Sequence, residues 1–282
     1  MKKLTGIILV LALTLGLFTV IPSTAGAAGK GVTKLQPNKA VSAVLTGSKK
    51  YSIKYTQTVD EYNGEFKMTL SIDGKPKLST GIQYGYGACV WLLSVNSSTS
   101  LIYIFHYVDN GTDVHKVYRY DGSKLTLVSD IGYIVSSSGD PLSAGSNEFT
   151  IACHKQEPSL GIYRINAKFK YDASAKKISK AANAYDVIFY DDFETGPGEV
   201  GGWQNNWGTA NKAFKTYTTA GGSTQSFSVK KGDRLRVQKV NITTSAVYFE
   251  VKNQQGKTGW YKDTKKWSDN NMYFFMEAAY AG

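Results

Sequence analysis

The chain has 282 residues, with 33 Lys+Arg against 22 Asp+Glu, a formal net charge of +11, and 28 Gly, 19 Tyr, 12 Phe and 5 Trp. An apolar fraction of 42% with 13% aromatics excludes a disordered chain, and the length suits one large or two small domains. Two cysteines exclude a disulfide-framework mini-protein and a thiolate zinc finger, and three histidines leave little for a histidine metal centre.

Lys2 and Lys3 precede an unbroken apolar run from Ile7 to Ile21, followed by Pro22, Ser23, Thr24, Ala25, Gly26 and Ala27. A charged start, an apolar middle and a small-residue exit predict that residues 1–27 are an export signal cleaved after Ala27. The run is short for a bilayer span, which needs about 20 residues. No later stretch is apolar enough to span, no Cys follows the run, and no hydrophobic tail closes the sequence. The mature chain is therefore expected outside the cell, without membrane contact after cleavage, and any surface attachment is expected to be non-covalent.

Residues 28–185 read as strands. Tyr51 to Tyr55, Phe66 to Ile72 and Val117 to Tyr120 alternate large apolar with polar residues, the period of a half-buried strand. Cys89 to Leu93 and Leu101 to Phe105 are continuous apolar runs of strand length, which predicts strands buried on both faces. Asn63-Gly64, Asp73-Gly74, Asn110-Gly111 and Asp121-Gly122 are hairpin signals, so neighbouring strands should pair antiparallel. Only Ala173 to Ala184 has helical composition, and it lacks an apolar stripe.

Three stretches repeat. Asp73-Gly74-Lys75, Asp121-Gly122-Ser123-Lys124 and Tyr171-Asp172 sit in similar contexts, with 48 residues from Asp73 to Asp121 and 51 from Asp121 to Asp172. A period near 50 made of three or four strands is the signature of propeller blades. Three units are too few to close a propeller, so either an open propeller-like stack or a trefoil-like arrangement is expected. Val32 to Tyr55 followed by the Asp73-Gly74 hairpin resembles the degenerate integrin-type (FG-GAP or VCBS-like) repeats of secreted Gram-positive bacterial proteins. That resemblance implies calcium-binding loops rich in Asp and Gly. Here Thr46 to Lys50 and Asn96 to Ser100 contain no carboxylate, so the calcium sites are expected to be lost, and no metal or cofactor is expected.

Residues 186–212 read as a Gly-rich acidic linker, with Asp186, Asp191, Asp192, Glu194 and Glu199 beside Gly196-Pro197-Gly198 and Gly201-Gly202. The acidic run fits either a solvated linker or a hard-cation site. Residues 213–282 follow with Phe227-Ser228-Val229-Lys230-Lys231-Gly232-Asp233, an alternating strand to Val237, a loop, Tyr248 to Val251, a turn and Gly259-Trp260. This order resembles a bacterial SH3-type (SH3b) module, which implies a small barrel, a wall- or peptide-binding role and close backbone passage at Gly259. The expected architecture is thus all-β, a propeller-like or trefoil-like antiparallel domain followed by a small SH3-like barrel.

Catalytic signatures are missing: no G-x-S-x-G, H-E-x-x-H or phosphate-cradling glycine loop occurs. His154 follows Cys153, but adjacent strand residues face opposite sides and cannot form a nucleophile–base pair. His106, His115 and His154 are read as structural, and the two cysteines leave open a disulfide or two buried thiols. Basic residues come in scattered pairs such as Lys49-Lys50, Lys176-Lys177 and Lys230-Lys231 rather than in a run, so nucleic acid is not an expected partner. Tyr84, Tyr86, Trp203, Trp207, Tyr217, Trp260, Tyr261, Trp267 and Tyr273 lie in Gly-rich or loop-like settings, where aromatic faces stack on sugars or peptides. The resemblance places a ligand groove between the loops Tyr217 to Gln225 and Asn241 to Ala246. Tyr217, Trp260, Trp267 and Tyr273 are its expected binding residues, with Lys215, Lys257 and Lys262 on the rim. The expectation is a secreted, non-catalytic protein that holds a cell-wall polymer, a peptide or another protein. An unrecognised polysaccharide or peptidoglycan hydrolase, or an adhesion protein using the repeats, stands as the alternative.

Overall fold

The computed structural model describes residues 30–60, 65–83, 85–108, 114–132, 134–135, 137–189, 203, 205–264 and 274–276. The export signal expected over 1–27, Tyr84, Trp267, Tyr273 and the acidic residues 191–199 lie outside them. Among the described residues there is no helix, and every strand pair is antiparallel.

A short strand, β1 (Val32–Lys34), precedes three four-stranded meanders. The first is β2 (Val41–Thr46), β3 (Lys49–Asp60), β4 (Glu65–Ile72) and β5 (Lys75–Gln83). The second is β6 (Gly85–Asn96), β7 (Thr99–Val108), β8 (Val114–Tyr120) and β9 (Leu125–Asp130), with β1 on the free edge of β6. The third is β10 (Ser137–Gly145), β11 (Glu148–Glu157), β12 (Gly161–Asp172) and β13 (Lys177–Lys180). A single pair, Thr46↔Thr99, joins the first two meanders into one hydrogen-bonded sheet.

The meanders stack face to face, and side-chain alternation dictates the order. Val90, Leu92, Ile102 and Ile104 on one face of the second meander meet Ile53, Tyr55, Phe66, Met68 and Leu70 of the first. Leu93, Leu101, Tyr103 and Phe105 on its other face meet Phe149, Ile151, Cys153 and Phe169 of the third. The second meander is therefore the middle layer, which is why 89–93 and 101–105 are continuously apolar. The outer face of the first meander keeps Ser52, Lys54 and Thr56 in water. Close approach between middle and third layers falls at Gly139, where a Cβ would lie 2.5 Å from Tyr103 Oη and 2.6 Å from Val135 Cγ1.

The third hairpin of each meander holds the repeated aspartate. Asp121 Oδ1 accepts from Ser123 N at 2.8 Å, Ser123 Oγ at 2.9 Å and Lys124 N at 2.7 Å. Asp172 Oδ1 accepts from Ser174 N and Ala175 N, and Asp73 Oδ1 from Ser52 N. Asp121 and Asp172 hold their own turns together and Asp73 ties its hairpin to β3, so the repeat signal reports hairpin chemistry. The donors around Asp121 hold its carboxyl down at about 2. Its contribution to stability is present above the ordinary carboxylate range and disappears as pH falls through about 2. Thermal melts should accordingly show Asp121→Asn less stable than the parent at pH 6, with the gap closing between about pH 4 and pH 2.

The last sheet contains β14 (Tyr185–Asp186), β15 (Trp207–Thr209), β16 (Phe214–Tyr217), β17 (Gln225–Val229), β18 (Arg234–Ile242), β19 (Val247–Asn253) and β20 (Thr258–Lys262). Its hydrogen-bonded path runs β14-β18-β19-β20-β16-β17, with β15 also on β18. It does not close into a barrel, contrary to the expected closed form. The β16–β20 ladder is one pair, Tyr217↔Trp260, and β17 pairs only with β16, so the hydrogen-bonded ring stays open. A register shift between Val237 and Lys239 moves the inward side of β18 from Leu235 and Val237 to Val240 and Ile242.

Both ends of the stretch expected as a linker are drawn into this sheet, through Asp186 in β14 and β15. Its core is continuous with that of the stack. Phe249 meets Tyr163 of β12 edge-on at 5.5 Å. Asp263 Oδ2 accepts from Ser159 N at 3.2 Å and Ser159 Oγ at 2.9 Å, Phe274 N donates to Ser159 O, and Lys180 Nζ donates to Ile242 O at 2.7 Å.

Candidate functional site

A groove of about 630 Å³ opens on the C-terminal sheet. Alternation along β20 builds one wall, because Gly259 and Tyr261 are buried while Trp260 stays half-buried and Lys262 exposed. A Cβ at Gly259 would lie 2.4 Å from Thr216 Oγ1 and 2.7 Å from Thr216 Cβ, so only glycine lets β20 pass β16 this closely.

Phe214, Tyr261 and Phe274 form an aromatic floor, with ring centroids 5.0 Å apart for Phe214–Tyr261 and 5.1 Å for each contact with Phe274. Lys212 Nζ sits 4.0 Å from the Phe274 ring centroid. Above the floor stand Tyr217, Tyr248 and Trp260, none of them fully buried, with Lys215 and Lys262 exposed at the edge. Gly221 turns the β16–β17 loop with φ of 77°, and a Cβ there would sit 3.3 Å from Tyr248 Oη. Gly221 and Gly222 thus keep that rim low beside the tyrosine. Flat rings, mobile cations and a low glycine rim suit an extended, partly anionic chain laid across the sheet.

Of the expected binding residues, Tyr217, Trp260 and Lys262 are brought together, and Lys215 joins them. Lys257 lies in the β19–β20 turn, where its backbone N donates to Asn253 Oδ1, and is not among the lining residues. Trp267 and Tyr273 lie outside the described residues. The second wall is Tyr248 on β19, and no residue of the loop Asn241 to Ala246 lines the groove. The alternation of β19 carries the signal for Tyr248: Phe249 and Val251 face inward, which turns Tyr248 outward.

Trp203, His115 and Cys153 are instead packed in the core. Trp203 is buried and stacked on Phe189 at 3.9 Å, with Phe275 at 5.1 Å. His115 is fully buried, stacked on Phe105 at 4.6 Å, with Nδ1 2.8 Å from Tyr103 Oη. The same hydroxyl lies 3.2 Å from Gly139 O, a second acceptor within its reach. Cys89 and Cys153 are both free thiols, and burial pushes the Cys153 thiol up to about 12. Among the described residues no group of three potential metal-ligating side chains occurs. No family model, curated protein or solved structure matches the chain.

Proposed function

We propose that the chain is a secreted, non-catalytic binding protein that associates with the cell envelope through this groove, taking a wall polymer or wall peptide. The observation that carries the reading is the aromatic, lysine-edged groove, which shares only its Tyr217 to Gly222 rim with the ligand site that the SH3-type resemblance implies. Strand order supports it: β16 and β17 joined by a long loop, then β18, β19 and β20 as consecutive hairpins. The three meanders support an open propeller-like stack as the module that carries this sheet. Export rests on residues 1–27.

Among the described residues, the groove's lining offers stacking faces and ammonium groups, with no nucleophile and base side by side. Binding without turnover is the chemistry these residues supply. Co-sedimentation with purified cell walls tests it, with circular dichroism as the folding control. Tyr217→Ala and Trp260→Ala should each weaken retention about tenfold, the scale of a partly buried aromatic contact. Lys262→Gln should flatten the salt dependence. Full retention by the folded double aromatic variant would remove the groove from the account. A cleared zone in a wall-embedded gel would replace binding by hydrolysis.

A further inference from the structure

The three stacked meanders sort their turns by end. Every first and third hairpin, at 46–49, 73–75, 96–99, 121–124, 145–148 and 172–177, falls at one end of the stack. Contacts tie these turns together across the layers. Lys77 Nζ donates to Ser123 O at 2.7 Å, and Tyr51 meets Tyr120 edge-on at 5.2 Å. Asn96 Nδ2 donates to Asn147 Oδ1 at 2.7 Å, and Asn147 N donates to Val95 O. β9 also packs against β13, bringing the third hairpins of the middle and last layers together.

Charge follows the same division. Lys50, Lys75, Lys124, Lys176 and Lys177 stand exposed at this end with no ion pair among the described residues. The acidic groups among them are engaged, Asp121 and Asp172 by backbone N–H groups, Asp73 by Ser52 N and Lys49 Nζ, and Glu148 by Lys168. Asp60, Glu65, Asp130, Asp140 and Glu157 lie toward the opposite end, together with Lys67, which pairs with Glu65, Lys116 across from Asp130, Arg164 and the buried Lys155. Colloidal solubility alone asks for mixed signs, not for cations gathered on one end.

We propose that this end is a second binding face, independent of the groove, for a linear polymer of repeating phosphodiester charges without bases. The third hairpins of successive layers carry Lys75, Lys124 and Lys177 in corresponding places, so a lysine recurs once per layer along the stack. A regular row of point charges matches a chain with regularly spaced single charges. Lysine binds phosphate as a point charge, without the planar fork by which arginine grips carboxylate and phosphate alike, so a row of lysines suits singly charged phosphodiesters, and a uronate polymer is the comparison that tests the choice. Tyr51 and Tyr120 are packed against each other beneath Lys49 and Lys77 and offer no open ring for base stacking, which disfavours nucleic acid.

The test uses the mature full chain and poly(glycerol phosphate), with polygalacturonate and a single-stranded oligonucleotide as comparison polymers, each titrated between 25 and 500 mM salt. Poly(glycerol phosphate) should bind most tightly at low salt. The triple variant Lys75→Gln, Lys124→Gln, Lys177→Gln should bind roughly tenfold more weakly at low salt, with a shallower salt slope and an unchanged melt. Tyr217→Ala, which disables the groove, should leave this binding intact. If the triple variant melts early, the three single substitutions should each give a partial loss. Equal binding by the triple variant or by all three single variants overturns the face. Equal or tighter binding of polygalacturonate overturns the phosphodiester assignment, and tighter binding of the oligonucleotide overturns the exclusion of bases.

Discussion

A chain carrying Phe249→Ala is expected to lose about 3–5 kcal/mol of stability, the scale for deleting a fully buried aromatic ring. Phe249 has no exposed surface, and its ring lies 5.5 Å from both Tyr163 and Tyr261. Tyr163 belongs to the third meander and Tyr261 to the groove floor, so the cavity opens in the core that the stack and the last sheet share. The loss should therefore appear as one shifted melting transition, followed equally by near-ultraviolet dichroism and by Trp fluorescence. An early transition confined to the C-terminal sheet, with the rest unchanged, would mean that the shared core does not couple them.

Acid should destabilise the chain well before its carboxylates titrate. Burial lowers His115 to about 3, with Lys155 adding to the effect, and lowers His106 to about 4, with Lys116 adding to it. Both rings are neutral when folded and take up protons near pH 6.5 when unfolded. Their contribution is complete above about 6.5 and is lost as pH falls toward the folded values. Each should cost about 2 kcal/mol by pH 5. Glu157 runs the other way, since burial raises it to about 7. Its contribution is complete below the ordinary carboxylate range and is lost as pH rises through 7. Urea unfolding at pH 5 and pH 7 separates them. His115→Gln should shrink the stability difference between the two, and Glu157→Gln should enlarge it. A parent-like pH profile in both variants would show that these groups are solvated.

How far the sequence reaches depends on the range of the interaction that decides each feature. Strand period, hairpin residues and the near-50-residue repeat are local, and Tyr51 to Tyr55, Asp73-Gly74 and Asp121-Gly122 carry them openly. The two-sided burial of Leu101 to Phe105 was equally readable, because a middle layer leaves no face for polar residues. The open edge of the last sheet was not, since it turns on one ladder contact, Tyr217↔Trp260, between residues far apart in the chain. Trp203 has the Gly-rich setting of an exposed ring, yet Phe189 and Phe275 enclose it from either side. The groove was half visible: Tyr217, Trp260 and Lys262 could be picked out, while Phe214, Phe274 and Tyr248 depend on which strands become neighbours. Lys49-Lys50 and Lys176-Lys177, scattered in sequence, come to the same end only once three meanders are stacked, while Lys230-Lys231 stays apart in the β17–β18 turn.

The claim on which the functional reading stands is that the C-terminal groove holds the envelope ligand. Nitrogen-15 spectra of the chain without residues 1–27, titrated with soluble cell-wall fragments, test it most directly. The account predicts saturable shifts centred on Tyr217, Gly221, Gly222, Tyr248 and Lys262, with the largest at the Trp260 indole N–H. Saturable shifts that leave these groups untouched and gather elsewhere, or no shift at millimolar fragment, would contradict it.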